Sequence, residues 1–233
     1  MEDEATQPNT QQVLDPRRLG RNNSGLSDSD IADVLCILHP ASPAAYAIVA
    51  HTAEQNPQHV LQNEGLANFK ETPLELEEHE TFLLGTNSSG HAKDLALRLS
   101  SSLKNTVLGF TFGRNPRSCD IIFDIDTVKR ISNLHFRIYV THAGIVMLED
   151  MSTNGTLVDE NHLRGKTQNI ATQMLIQGSV IQVPSTKPEE SIKFIVRIPS
   201  REGHETAYLQ NFHAFRARMD AAEREYIGLR CGS

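Results

Sequence analysis

The chain has 233 residues, 39% of them hydrophobic, and a formal net charge of −7, enough for one sizeable core with arms. No apolar run approaches the roughly 18 residues that cross a bilayer, no signal peptide opens the chain, and neither the three cysteines (Cys36, Cys119, Cys231) nor the ten histidines show metal-ligand spacing, so no metal, cofactor or membrane partner is expected. The charge is uneven, with 14 acidic and 4 basic residues in 1–90 against 15 and 18 in 91–233, and the acidic half argues against direct contact with nucleic acid.

Residues 1–30 read as a disordered tail, rich in Asn, Gln, Ser and Asp and poor in large apolar residues. Two Thr-Gln pairs, Thr6-Gln7 and Thr10-Gln11, lie within it. Residues 31–90 read as an N-terminal extension with a short helix. Ile31 to Leu38 suits a strand or a buried helical turn. Ser42-Pro43 then gives an N-cap followed by Pro at the first helical position, and Ala44 to Gln55 forms the helix, stopped before Pro57. Residues 63–90 read as a loop, with an acidic run at Glu75–Glu80 and the turn former Asn87-Ser88-Ser89-Gly90.

From Lys93 the apolar period becomes two. Leu95, Leu97 and Leu99 alternate with Asp94, Ala96 and Arg98, and Leu108, Phe110 and Phe112 follow. Ile121 to Phe123, Leu134 to Val140, Ile145 to Leu148, Thr156 to Val158, Val180 to Val183 and Ile192 to Ile198 continue the series, separated by turn signals such as Asn115-Pro116, Ala143-Gly144 and Gln177-Gly178. Many short strands with no recurring helix between them predict an all-β fold, an antiparallel β-sandwich over 91–199. Residues 200–233 return to a helical pattern. Tyr208, Phe212, Phe215, Met219, Ala222 and Tyr226 recur at spacings of 4, 3, 4, 3 and 4, a heptad stripe. It either lies on its own domain or awaits another partner.

Three turn regions carry the chemistry: Phe112-Gly113-Arg114-Asn115-Pro116, Ser132-Asn133-Leu134-His135, and Asp150-Met151-Ser152-Thr153-Asn154-Gly155-Thr156. Arg114 at a strand end offers a rigid fork of donors able to hold two phosphate oxygens. Ser132 brings a hydroxyl, and the Asn133 backbone N–H can donate to the same anion. Asn154 sits in a turn and Gly155 suits a positive-φ position. Six basic residues against three acidic ones over 104–140 favour a small anion. Ser132 with His135 invites a hydrolase reading, but residues three apart on a strand face opposite ways and no acid partner appears. His135 is therefore read as structural.

These motifs, in this order within a sandwich, resemble the forkhead-associated (FHA) domains over roughly residues 91–199. The resemblance implies an eleven-stranded sandwich whose apical loops bind phosphothreonine peptides. By it, Arg114, Ser132 and Asn133 hold the phosphate. Thr153 and Asn154 grip the peptide beside it, and Arg130 faces the side chain three positions after the phosphothreonine. Gly113, His135 and Gly155 shape the loops. The same stretches are similar to the first FHA domain of fungal DNA-damage checkpoint effector kinases. That similarity implies phosphorylation of Thr6 or Thr10 by upstream checkpoint kinases, phospho-dependent self-association and a nuclear location. In one departure from the pattern, Asp159-Glu160-Asn161 stands where Asn-Gly is usual in the next turn. No glycine-rich phosphate loop, His-Arg-Asp or Asp-Phe-Gly motif is present, so no catalysis is expected of this chain. It reads as a phosphothreonine-binding module, the N-terminal part of such a kinase, or a kinase-free phospho-dependent adaptor.

Overall fold

A computed structural model describes residues 26–62, 93–123, 130–164, 171–187 and 190–231. The first element is helix α1 (Asp28–Asp33), opened by a reciprocal capping box. Ser27 Oγ accepts from Asp30 N, and the Asp30 carboxylate accepts from Ser27 N. Residues 28–30 are thus helical, which corrects the tail boundary drawn at residue 30. Thr6 and Thr10 lie outside the described residues.

The β-branched Val34 ends α1 and starts strand β1 (Val34–Pro40), in which every residue but His39 is buried. Such a strand has neighbours on both edges and cover on both faces. Ser42 then caps helix α2 (Pro43–Gln55), accepting from Ala45 N at 3.3 Å, with Pro43 at the first helical position. The same hydroxyl oxygen accepts from Lys193 N at 3.0 Å, tying the helix to the sheet. The helix stops at Asn56, before Pro57.

Strands β2 (Val60–Gln62), β3 (Lys93–Arg98), β4 (Phe110–Gly113), β5 (Ile121–Ile122), β6 (Phe136–Val140), β7 (Val146–Asp150), β8 (Thr156–Val158), β9 (Asn161–Leu163), β10 (Thr172–Met174), β11 (Val180–Val183) and β12 (Ile192–Arg197) complete two sheets. The larger runs β2-β3-β1-β12-β11-β8-β9 and the smaller β10-β7-β6-β4-β5. All pairs are antiparallel except β4 with β5. Twelve strands are present among the described residues, where the resemblance implied eleven.

Strand β1 lies between β3 and β12, in register Leu38 to Leu95 and Leu38 to Val196. Residues 31–62 are therefore part of the sandwich, a point on which the sequence left both a separate unit and a packed extension open. The alternating pattern of 91–199 hid this, because a doubly covered strand such as Val34-Leu35-Cys36-Ile37-Leu38 has no alternation to show.

Phenylalanines fill the space between the sheets. Phe112 stacks on Phe136 with centroids 4.5 Å apart, and Phe123 packs against both. Helix α2 sends Ala45, Ile48 and Val49 into the same core. Helix α3 (Glu205–Cys231) closes the opposite end from the turn regions named above. Phe212, Phe215 and Met219 of its heptad stripe are buried, Phe215 stacked on Phe110. Tyr226, further along the same stripe, is 49% exposed. The first half of the stripe thus belongs to the core and the second half leaves it. No helix among the described residues is long and apolar enough to cross a membrane.

Candidate functional site

Chain reversal brings four strand ends together: the exit of β4 at Gly113, the entry to β6, the exit of β7 at Asp150 and the entry to β8 at Thr156. Hydrogen bonds between the loops fix their spacing. Arg114 N donates to Ser132 O at 3.1 Å, Asn115 N to Asn133 O at 3.0 Å, and His135 N to Phe112 O at 2.7 Å. This close approach explains Gly113. A Cβ there would stand 2.5 Å from Asn133 O and 2.9 Å from His135 N.

Cys119 adds a support that sequence reading missed. Its buried thiol donates to Asn133 O at 3.1 Å. Burial pushes the thiol pKa up, so it stays protonated as a donor. The signal available in sequence was only an apolar-period cysteine next to Asp120.

The third loop is held from within. The buried Asp150 carboxylate accepts from Ser152 Oγ and from Thr156 Oγ1, both at 2.8 Å. Ser152 Oγ accepts in turn from Gly155 N at 2.7 Å. Gly155 has φ +91, and a Cβ on it would lie 2.7 Å from Leu163 O, so both conformation and space require glycine. The run Asp-x-Ser-x-x-x-Thr was legible as a turn, but its inward direction was not. In the next turn Asp159 takes φ +54. Its carboxylate accepts from Val180 N at 2.9 Å, so this turn closes without the usual Asn-Gly.

His135 is fully buried. Its Nδ1 accepts from the backbone N–H of Ser132 at 3.1 Å, which leaves the proton on Nε2 facing Gly155 O at 3.4 Å. The imidazole therefore joins the second loop to the third. It does not meet the Ser132 hydroxyl, so these two residues do not form a nucleophile–base pair.

The loops surround an open cleft of about 570 Å³ lined by Arg114, Arg130, Ser132, Asn133, Thr153 and Asn154, with Ile131, Leu134 and Met151 as its apolar part. Six of the residues singled out in the sequence thus line one cavity, while Gly113, His135 and Gly155 lie in the loop framework around it. Arg114 Nη2 donates to Asn133 Oδ1 at 3.1 Å, which aims the guanidinium along the cleft. Ser132 Oγ accepts from Thr153 N at 3.1 Å, leaving its own proton to donate elsewhere. The Asn133 N–H has no protein acceptor among the described residues. Asn154 Nδ2 donates to Arg130 O at 2.9 Å. A guanidinium, a hydroxyl and a backbone N–H that converge with donors to spare make a receptor for a multivalent oxyanion. Among the described residues no group of His, Cys, Asp and Glu could hold a metal ion.

Comparison with known proteins converges on the same region. Residues 110–183 match the family model described as FHA domain. Over 94 residues the chain is 36% identical to serine/threonine-protein kinase RAD53 of Saccharomyces cerevisiae, a stretch that is 39% of this chain and 11% of that kinase. The crystal structure of the N-terminal FHA domain of S. cerevisiae Rad53p in complex with a phosphothreonine peptide is 30% identical, covering 42% of this chain and 72% of that one at a TM-score of 0.34. A refined NMR structure of the FHA1 domain of yeast Rad53 is 25% identical, covering 49% and 76% at a TM-score of 0.36.

Proposed function

This chain belongs to the forkhead-associated family through residues 110–183, and from that premise we propose that it reads phosphothreonine in partner proteins and carries out no catalysis of its own. The observation that carries the reading is the convergence of Arg114, the Ser132 hydroxyl and the Asn133 N–H on one open cleft. A phosphothreonine brings about −1.5 to −2 charges and three acceptor oxygens. Arg114 takes two of those oxygens as a fork. Ser132 and Asn133 take the third. Thr153 and Asn154 hold the peptide beside the phosphate, and Arg130 faces a side chain further along.

The apolar part of the cleft, Ile131, Leu134 and Met151, supplies contact for the threonine methyl. One methyl contributes about 1–3 kcal/mol, so phosphothreonine is preferred over phosphoserine by a finite factor.

From the resemblance of the three loop motifs to the first FHA domain of fungal checkpoint effector kinases we also propose a role in DNA-damage checkpoint signalling, in the nucleus. In this reading upstream checkpoint kinases phosphorylate Thr6 or Thr10, and the modified tail of one molecule docks in the Arg114 cleft of another. The likeness to a kinase equally supports a role as the regulatory part of a serine/threonine kinase.

The test is a titration of the whole chain against a phosphothreonine peptide library and its unphosphorylated counterpart, with Arg114→Ala alongside. Phosphate-dependent binding by the wild type, lost in the variant, is the expected result. Equal binding of phosphorylated and plain peptides overturns the reading. Dimerisation is tested by light scattering after phosphorylation of the Thr-Gln pairs, and a dimer that persists in Arg114→Ala sinks that part.

A further inference from the structure

The loop that carries Arg114 is supported from behind by a lysine outside every motif. After Gly113 the chain makes a tight turn over Asn115 to Cys119, in which Asn115 O accepts from Ser118 N at 3.2 Å and from Cys119 N at 3.0 Å. Such a turn leaves its later carbonyls without partners of its own, as at a helix C-terminus. Lys104 serves two of them. Its Nζ donates to Pro116 O and to Cys119 O, both at 2.6 Å, short contacts of the kind a charged donor makes.

Lys104 is itself fastened to the strand that ends in the grip. Its backbone N–H donates to Asp120 Oδ1 at 2.8 Å, and the other carboxylate oxygen accepts from Thr111 N of β4 at 2.9 Å. Asp120 is buried and holds the two segments at a fixed separation. The ammonium is therefore placed by β4 and acts on the loop that leaves β4.

The loop passes this constraint to the phosphate donors. Asn115 N and Cys119 Sγ both donate to Asn133 O, at 3.0 and 3.1 Å, and Arg114 N donates to Ser132 O at 3.1 Å. Ser132 O and the Asn133 N–H belong to one trans peptide unit and point in opposite directions. The bond from Arg114 N thus also aims the Asn133 N–H. A shift of residues 114–119 would move the guanidinium and turn that N–H together. Lys104 does not line the cleft. It lines a separate cavity of about 400 Å³ behind the loop, with Pro116, Asp120 and the end of α2.

We infer that Lys104 is a positioning residue for the phosphate grip, holding Arg114 and the Asn133 N–H in place without touching the ligand. The inference rests on the phosphopeptide reading and adds to it a residue outside the three loop motifs. Donors held in place beforehand bind more tightly, because less freedom is lost when the anion arrives. One of the two Lys104 bonds is exposed and the other half-buried, so losing them costs the fold little while it loosens the loop.

The experiment uses the whole chain as wild type, Lys104→Met and Lys104→Arg. Methionine keeps an unbranched stem and removes every donor, whereas arginine keeps the charge and its donors. Each protein is titrated with a phosphothreonine peptide and its unphosphorylated counterpart at low and at high salt, with chemical denaturation on the same preparations. Lys104→Met should bind the phosphopeptide on the order of tenfold more weakly. The deficit should persist at high salt, and the Asn133 amide resonance of the free protein should shift. Lys104→Arg should recover most of the affinity, and both variants should unfold close to wild type. Wild-type affinity in Lys104→Met overturns the positioning role, as do equal deficits in the two variants. A deficit that salt abolishes overturns it too, since it marks a charge acting through space. A Lys104→Met protein that does not fold shows a purely structural clamp, with the same consequence. In all these cases phosphate-dependent binding by wild type stands. Its absence in wild type overturns the phosphopeptide reading itself, and the positioning role with it.

Discussion

At the cleft end of the sandwich Arg114 makes one side-chain hydrogen bond, to Asn133 Oδ1, and the Arg130 guanidinium finds no acceptor among the described residues. At the opposite end Arg201 is consumed. Its Nη1 donates to Ile31 O at 2.5 Å, its Nη2 to Val34 O at 2.6 Å and Leu35 O at 3.1 Å, and its guanidinium lies 4.0 Å from the centroid of the Tyr208 ring. Arg216 and Arg218 of α3 behave alike, donating to Val140 O and to Leu99 O. These carbonyls lie in or beside the ends of α1, β1, β3 and β6. The residue type is the same at both ends. What differs is whether backbone acceptors already satisfy it. A satisfied arginine holds the fold together, and an unsatisfied one is free for a ligand.

The largest expected effect breaks the satisfied end. Arg201→Leu removes its hydrogen bonds to three backbone carbonyls in a half-buried site, and a hydrogen bond to a charged group is worth about 1.5–3 kcal/mol. We expect a loss of about 3–4 kcal/mol in denaturant unfolding, with phosphopeptide affinity unchanged at temperatures where the variant is folded. A variant as stable as wild type would show that α3 and β1 do not depend on this clamp.

Gly113→Ala tests the contact between the first two loops. A Cβ 2.5 Å from Asn133 O forces backbone apart, and overpacking of this kind costs about 1–3 kcal/mol. Because the displaced atom belongs to the phosphate loop, stability and affinity should fall together. Unchanged affinity in a destabilised variant would mean that the loops adjust without moving the grip.

Arg114→Ala is the converse of the Arg201 variant. Phosphopeptide affinity should fall by about 2 kcal/mol or more, while unfolding stability changes by less than about 0.5 kcal/mol, as at an exposed site. Isothermal titration and chemical denaturation on one preparation give both numbers. A stability loss as large as the binding loss would erase the distinction between the two ends.

The unequal legibility of the two ends in sequence has a physical cause. The cleft is built from turns, and turns announce themselves through Gly113, Asn115-Pro116 and Asn154-Gly155, whose conformations are local. Alternating residues such as Phe136, Ile138 and Val140 placed the strands beside them. The Ser42-Pro43 start and the Pro57 stop located α2 for the same reason. By contrast, β1 pairs with residues far along the chain, and a strand buried on both faces has no period of two to betray it. Strands β2, β9 and β10 are three residues each, too short for any period to register. The arginines of the closed end were invisible because their partners are backbone carbonyls up to 170 residues away in sequence. Cys119 supporting Asn133 and Asp150 holding Ser152 and Thr156 were missed for a related reason, since inward direction in a loop is decided by packing.

The smallest effect separates the cleft from the core through pH. A phosphate loses half its second charge near pH 6, so binding should weaken as pH falls through that value, whatever the protein does. His59 acts in the same window by another route. Its imidazole is fully buried, edge-on to Phe110, and its ring nitrogens lack a well-formed hydrogen bond. Burial pulls its pKa below the ordinary histidine value. In the unfolded chain the group takes up a proton near pH 6.5, whereas in the folded protein it resists until the pH is lower. The unfolded state therefore binds more protons between those two values. The stability contribution is fully present above about pH 6.5 and declines as pH falls toward the folded value, with a slope of at most about 1.4 kcal/mol per pH unit. His59→Leu fills similar space with an apolar side chain and should flatten this decline in stability measured from pH 7.5 to about 5. The pH dependence of phosphopeptide binding in the same variant should stay as in wild type, because it belongs to the ligand and the Arg114 end. If His59→Leu keeps the acid decline, other groups titrate with unfolding. If it alters the binding profile, core and cleft are coupled through β4, which carries both Phe110 and Gly113.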